Sequence, residues 1–130
     1  MDETALDREP DTRQVARELP PEQRPLAVFD ALAERFARQD FRGCAFVNTM
    51  VEAADRSSAA HRVAAAHKAA VIDYLDQLLT DAGHGEHATL AEELVLLIDG
   101  AIVTSVREGT TEPARRARRI AAALLAAERA

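Results

Sequence analysis

The sequence has little of several residue types that define common protein classes, with one cysteine, one lysine and no tryptophan in 130 residues. The single cysteine, Cys44, excludes an internal disulfide and a cysteine metal cluster. No apolar run reaches the roughly 20 residues that a membrane span needs, and the acidic start, residues 1–10, is unlike a secretory signal. Acidic residues outnumber basic residues 22 to 16, which argues against a domain built to neutralise nucleic-acid phosphates. We therefore expect a cytoplasmic protein with no membrane partner.

The composition favours helices, because 28 of the residues are alanine, the best helix former. Prolines, glycines and apolar spacing predict an all-α antiparallel bundle of about five helices plus a short N-terminal helix. The flexible acidic segment 1–21 would contain the short helix, near 11–19, and residues 22–130 would form the helical domain. The five predicted helices cover 25–38, 44–54, 59–82, 89–108 and 113–127.

The two last predicted helices have more apolar surface than one partner can cover. About half the circumference of 89–108 is free of charge, and Leu96 and Val103 form a second strip on its far side. Helix 113–127 has a second, smooth face that contains Ala122 and Ala126. This pattern predicts a homodimer, although helix phase alone leaves open which face is core. The predicted interface residues are Leu94, Leu97, Ile98, Ala101, Ile102, Ala121, Leu124 and Leu125.

One histidine, His67, shares a helical stripe with Val71 and Tyr74, so the pattern predicts that it points inward. It is either a core histidine with a hydrogen-bond partner or a polar contact in an apolar ligand pocket. In the second interpretation the ligand is a hydrophobic or aromatic compound. The pocket would be formed by Phe29, Phe36, Phe46, Met50, His67, Val71 and Tyr74.

The sequence contains no catalytic or metal signature, so we expect no enzyme activity, no cofactor and no metal site. His84 and His87 lie three residues apart, either as a metal pair or, as we favour, in an exposed loop, because two ligands do not close a site. Cys44 is either a reactive thiol or, as favoured, a packing residue. The basic run 113–119 is either a nucleic-acid patch or, as favoured, a solvated face paired with the acidic stretch 85–112.

Three segments resemble parts of TetR-family transcriptional regulators. Residues 41–48, Phe-Arg-Gly-Cys-Ala-Phe-Val-Asn, resemble the start of the sixth helix of that family. Residues 94–103, Leu-Val-Leu-Leu-Ile-Asp-Gly-Ala-Ile-Val, resemble the penultimate helix, and the Pro-Ala-Arg-Arg-Ala-Arg-Arg-Ile start of the last helix is also typical. The resemblance covers about residues 22–127.

The resemblance implies a C-terminal effector-binding domain that dimerises through its last two helices. Residues 25–38, 44–54 and 59–82 would surround the effector, and 89–108 with 113–127 would form the dimer. Only about 20 acidic, proline-interrupted residues precede Arg24, too few for a helix-turn-helix. We therefore expect the sensing and dimerising domain of a repressor, which would bind operator DNA only through a helix-turn-helix domain that is missing here. The alternative is a helical dimerisation or interaction module with a filled core and no ligand.

Overall fold

The protein, a computed structural model, is described over residues 18–38 and 59–129, and these residues form helices. A 3-10 turn at Pro21–Gln23 leads into α1, Arg24–Arg38. Helix α2 covers Ala59–Asp81, α3 covers His87–Glu108, and α4 covers Glu112–Arg129. The all-α prediction is confirmed. Several predictions concern residues wholly or largely outside the described ranges. They are the helices near 11–19 and 44–54, the flexible segment 1–21 and the role of Cys44.

Local sequence signals set most helix ends. Pro25 and Pro113 occupy the first turns of α1 and α4, where a missing N–H removes no intrahelical hydrogen bond. Helix α3 ends at Gly109, which has a left-handed φ of 68° and donates its N–H to the Ser105 carbonyl. The predicted start of the helix at residue 89 is two residues late, because α3 begins at His87 and the Leu90 N–H donates to the Glu86 carbonyl.

The core lies between α3 and its two neighbours in the protomer, α2 and α4, and α1 covers α4. Helix α4 contributes mainly alanines to the core, which lets it approach the other helices closely. An ion pair joins α4 to α1, with Arg118 Nε 3.0 Å from Asp30 Oδ1. The buried core cluster consists of Phe29, Leu75, Leu78, Leu79, Leu90, Ala91, Leu94, Val95, Ala101, Ala117, Ala121 and Leu125.

Candidate dimer surface and effector site

The outward side of α3 and α4 exposes large apolar side chains on adjacent helices. Leu96 is 72% exposed and Val103 36% exposed on α3, and Ile120 is 50% exposed on α4. Between the two helices runs an open groove of about 220 Å³. The groove is lined by Leu96, Leu97, Gly100, Ala101, Thr104, Pro113, Arg116, Ala117 and Ile120. An apolar surface of this kind, bounded by charged side chains, is typical of a protein interface.

The predicted interface residues divide between the protomer core and its surface. Leu94, Ala101, Ala121 and Leu125 are buried in the core of a single protomer, and their contact with a second copy stays a prediction. The face of α3 that contains Leu94 and Ala101 packs in the core with α2 and α4, and the second apolar strip, at Leu96 and Val103, faces outward. The other four, Leu97, Ile98, Ile102 and Leu124, are half-buried and stay predictions.

The predicted effector residues occupy different environments. Phe29 is 1% exposed and belongs to the core, and Phe36 is also buried. Val71 and Tyr74 are half-buried on α2 and pack against the core cluster. Phe46 and Met50 lie outside the described residues. Phe29 is thus a member of the core cluster against which Val71 and Tyr74 pack, and the ligand contact itself stays a prediction.

His67 is exposed, which corrects the prediction that it points inward. Its helix, α2, packs into the described core from Val71 onward, whereas residues 65–70 are all exposed. The helical stripe that contains His67 thus continues beyond the part of α2 that the described core covers. Periodicity identifies such a stripe but does not show where along the helix the packing stops.

The two histidines, His84 in the α2–α3 connection and His87 at the first residue of α3, do not lie in the exposed loop that the sequence favoured. His84 is 4% exposed, and its Nδ1 atom forms a hydrogen bond with the Glu128 carboxylate at the end of α4. His87, at the start of α3, is half-buried with Nδ1 2.5 Å from Asp76 Oδ1 of α2. The two histidine contacts therefore connect the end of α2 and the start of α3 with the end of α4. No group of metal-ligating side chains occurs within the described ranges.

A family model for the LmrA/YxaF-like transcriptional regulators, C-terminal domain, matches residues 21–120. This match covers most of the chain. The chain belongs to the TetR family of transcriptional regulators. Searches of the curated proteins and of the solved structures found no match. TetR-family regulators dimerise and bind DNA and small effectors, and their regulatory domain is generally not enzymatic. The resemblance seen in the sequence is thereby confirmed at the level of the C-terminal domain.

The arginine-rich start of α4 pairs with acidic side chains in this TetR-family domain. Arg115 Nε lies 3.6 Å from Glu112, and Arg116 Nη1 lies 3.6 Å from Glu108. Glu108 and Glu112 both belong to the acidic stretch 85–112 that was predicted to pair with this run, whereas Arg118 pairs with Asp30 of α1. These contacts favour a solvated, ion-paired face over a nucleic-acid patch. None of the helices in the described part of the chain combines the length and apolar content that crossing a bilayer requires.

Proposed function

We propose that this chain is the small-molecule-sensing and homodimerising domain of a TetR-family repressor. The observation that carries the proposal is the apolar surface shared by α3 and α4, with Leu96, Val103 and Ile120 exposed, in a chain of this family. Burying that surface against a second copy removes it from water, the main favourable contribution to association. The regulator would act by binding rather than by catalysis, in the cytoplasm, where its operator DNA lies.

The dimer would be a four-helix bundle of α3 and α4 from two protomers. Leu97, which lines the groove, and the half-buried Leu124 would contribute at its edge. The direct test is sedimentation equilibrium of the chain at micromolar concentration. We expect a species of twice 14.1 kDa. A single 14.1 kDa species at tens of micromolar would contradict the dimer.

The effector would be a hydrophobic or aromatic compound that contacts the apolar and aromatic side of α2. Val71 and Tyr74 support this proposal because they are half-buried beside the core and retain surface for a ligand. The remaining proposed contacts, retained from the sequence, are Phe29, Phe36, Phe46, Met50 and His67. Binding would favour one of two conformations of the regulator and so change its affinity for the operator.

Isothermal titration with a panel of apolar and aromatic compounds tests the effector site. Once a ligand is found, we expect Val71→Ala to weaken its binding several-fold. Ile72→Ala is the matched control, because Ile72 is a half-buried neighbour on the adjoining stripe of α2. Equal losses in both variants would argue against a specific contact at Val71.

The second candidate is a dimerisation or interaction module with a filled core and no ligand. The burial of Phe29, at 1% exposed, favours it, because that ring already fills a position predicted to line the pocket. The same titrations distinguish the two functions. A dimer that binds no compound of the panel would support the second candidate.

A further inference from the structure

The outward face of α3 carries side chains at alternating spacings of three and four residues, which we name the α3 seam. Its members are Glu93, Leu96, Gly100, Val103 and Arg107. This repeated spacing is that of one face of a helix, and Leu96 and Val103 are its apolar members. Glu93 is half-buried and the other four are exposed, so the repeat has no partner helix within the described part of the protomer.

Gly100 is an unfavourable residue for its place in the protomer. It lies well inside α3 with no positive φ, where glycine is the least favourable residue after proline. Among the described residues, no neighbouring atom lies within 4 Å of the position that a Cβ on Gly100 would take. The described part of the protomer therefore gives no steric reason for glycine here, whereas a helix that crosses closely from outside would.

The seam is complementary to itself when it is reversed. Glu93 and Arg107 each lie seven residues from Gly100, on opposite sides and with opposite charges. Neither has an ion-pair partner within the described residues. A two-fold axis through Gly100 places the second helix antiparallel to the first, so Glu93 of each copy would face the partner's Arg107. The interface would then contain two equivalent Glu93–Arg107 pairs. Leu96, four residues before Gly100, would lie within about one residue's rise of the partner's Val103, which is three residues after Gly100.

We infer that two copies of α3 cross in antiparallel orientation at Gly100, and that the Glu93–Arg107 pairs set their register. The occupant of this face is a second copy of the chain, favoured by the self-complementary charges and by the apolar groove beside Gly100. The inference rests on the proposed homodimer and adds its axis, its helix pairing and the residues that select an identical partner.

A cysteine placed on the two-fold axis tests the crossing point. In a Cys44→Ser background, Gly100→Cys should form a disulfide-linked dimer under mild oxidation, because disulfides need Cα atoms within about 7 Å. Glu93→Cys is the control, since seven residues place it about 10 Å from the axis and about 20 Å from its copy. Ile120→Cys reports a different axis, on α4.

The expected result is efficient cross-linking by Gly100→Cys and little by the other two variants. Preferential cross-linking through Ile120→Cys or Glu93→Cys would overturn the inference, as would a dimer in which Gly100→Cys does not cross-link. A protein that sediments as a monomer before any substitution would instead refute the proposed homodimer. The two failures are therefore distinguishable.

Charge exchange tests the register independently of any cysteine. Glu93→Arg alone and Arg107→Glu alone should each raise the dimer dissociation constant roughly tenfold, because like charges would face each other. The double variant should restore the constant to nearly its original value. Glu34→Arg, an exposed charge change on α1, is the matched control. A double variant as weak as the singles would overturn the register.

Discussion

His84 and Glu128 stand 44 residues apart in the chain and form a hydrogen bond between the α2–α3 connection and the end of α4. The imidazole is almost completely buried, and the carboxylate is partly buried. A buried polar group that loses a partner keeps the cost of its desolvation. This contact therefore ties the end of the last helix to the rest of the bundle.

We expect Glu128→Ala to lower the free energy of unfolding by about 1–3 kcal/mol, because His84 loses an acceptor that water cannot easily replace. Glu128→Gln keeps a side-chain oxygen that can accept the bond, so its loss should be smaller. Urea unfolding at one fixed protein concentration measures both. The control is Glu92→Ala, an exposed acid on α3, and an equal effect of Glu92→Ala and Glu128→Ala would refute the role of the contact.

Leu94 and Leu96 are two residues apart on α3 and should respond differently to truncation. Leu94 is fully buried, so Leu94→Ala should cost about 2–5 kcal/mol of protomer stability. Leu96 is 72% exposed, and Leu96→Ala should leave the helical circular dichroism unchanged while raising the dimer dissociation constant. Urea unfolding and sedimentation equilibrium separate the two effects. A folded, monomeric Leu94→Ala would restore Leu94 to the interface.

Gly109 should tolerate substitution poorly because it ends α3 with a φ of 68°. We expect Gly109→Ala to cost about 1 kcal/mol, since side chains with a Cβ clash in the left-handed conformation. Gly109→Asn should cost less, because asparagine adopts this conformation more readily. Thermal unfolding of the two variants gives the comparison, and an alanine variant as stable as the parent would show that the chain turns there without strain.

Lys68 of α2 and Asp99 of α3 form an ion pair between two helices, with both side chains partly exposed. Exposed pairs contribute little because water and salt screen them. Asp99→Asn should therefore change the free energy of unfolding by less than about 1 kcal/mol, and added salt should reduce the difference further. Asp73→Asn on α2 is the control for a lone exposed charge change. A loss above about 2 kcal/mol would mean that the pair is not screened in this way.

The helices could be read from the sequence because their boundaries depend on local chemistry. Pro25, Pro113 and Gly109 act through their own backbone, and the apolar spacing between them fixes the helical period. Which apolar face turns inward depends instead on the neighbouring helices, and α3 has two such faces. The sequence therefore assigned Leu94 to the interface, whereas packing against α2 and α4 places it in the core.

The candidate site was less predictable for the same reason. The inward orientation of His67 depended on how far along α2 the core extends, and the described core ends one turn later, at Val71. The environment of His84 depended on Glu128, a contact between distant segments that no helical period encodes. Gly100 carried a signal in the sequence, as a glycine inside a helical pattern, but its meaning required the open space around it.

The core that lies within one protomer has a consequence for how the proposed homodimer would assemble. Leu94, Ala101 and Ala121 are buried without a second chain, so in the proposed homodimer we expect each protomer to fold before it meets its partner. Subunits that fold alone can also separate and recombine without unfolding. Two forms of this protein in one cell would then exchange subunits, and a defective copy would enter mixed dimers and interfere with the intact one.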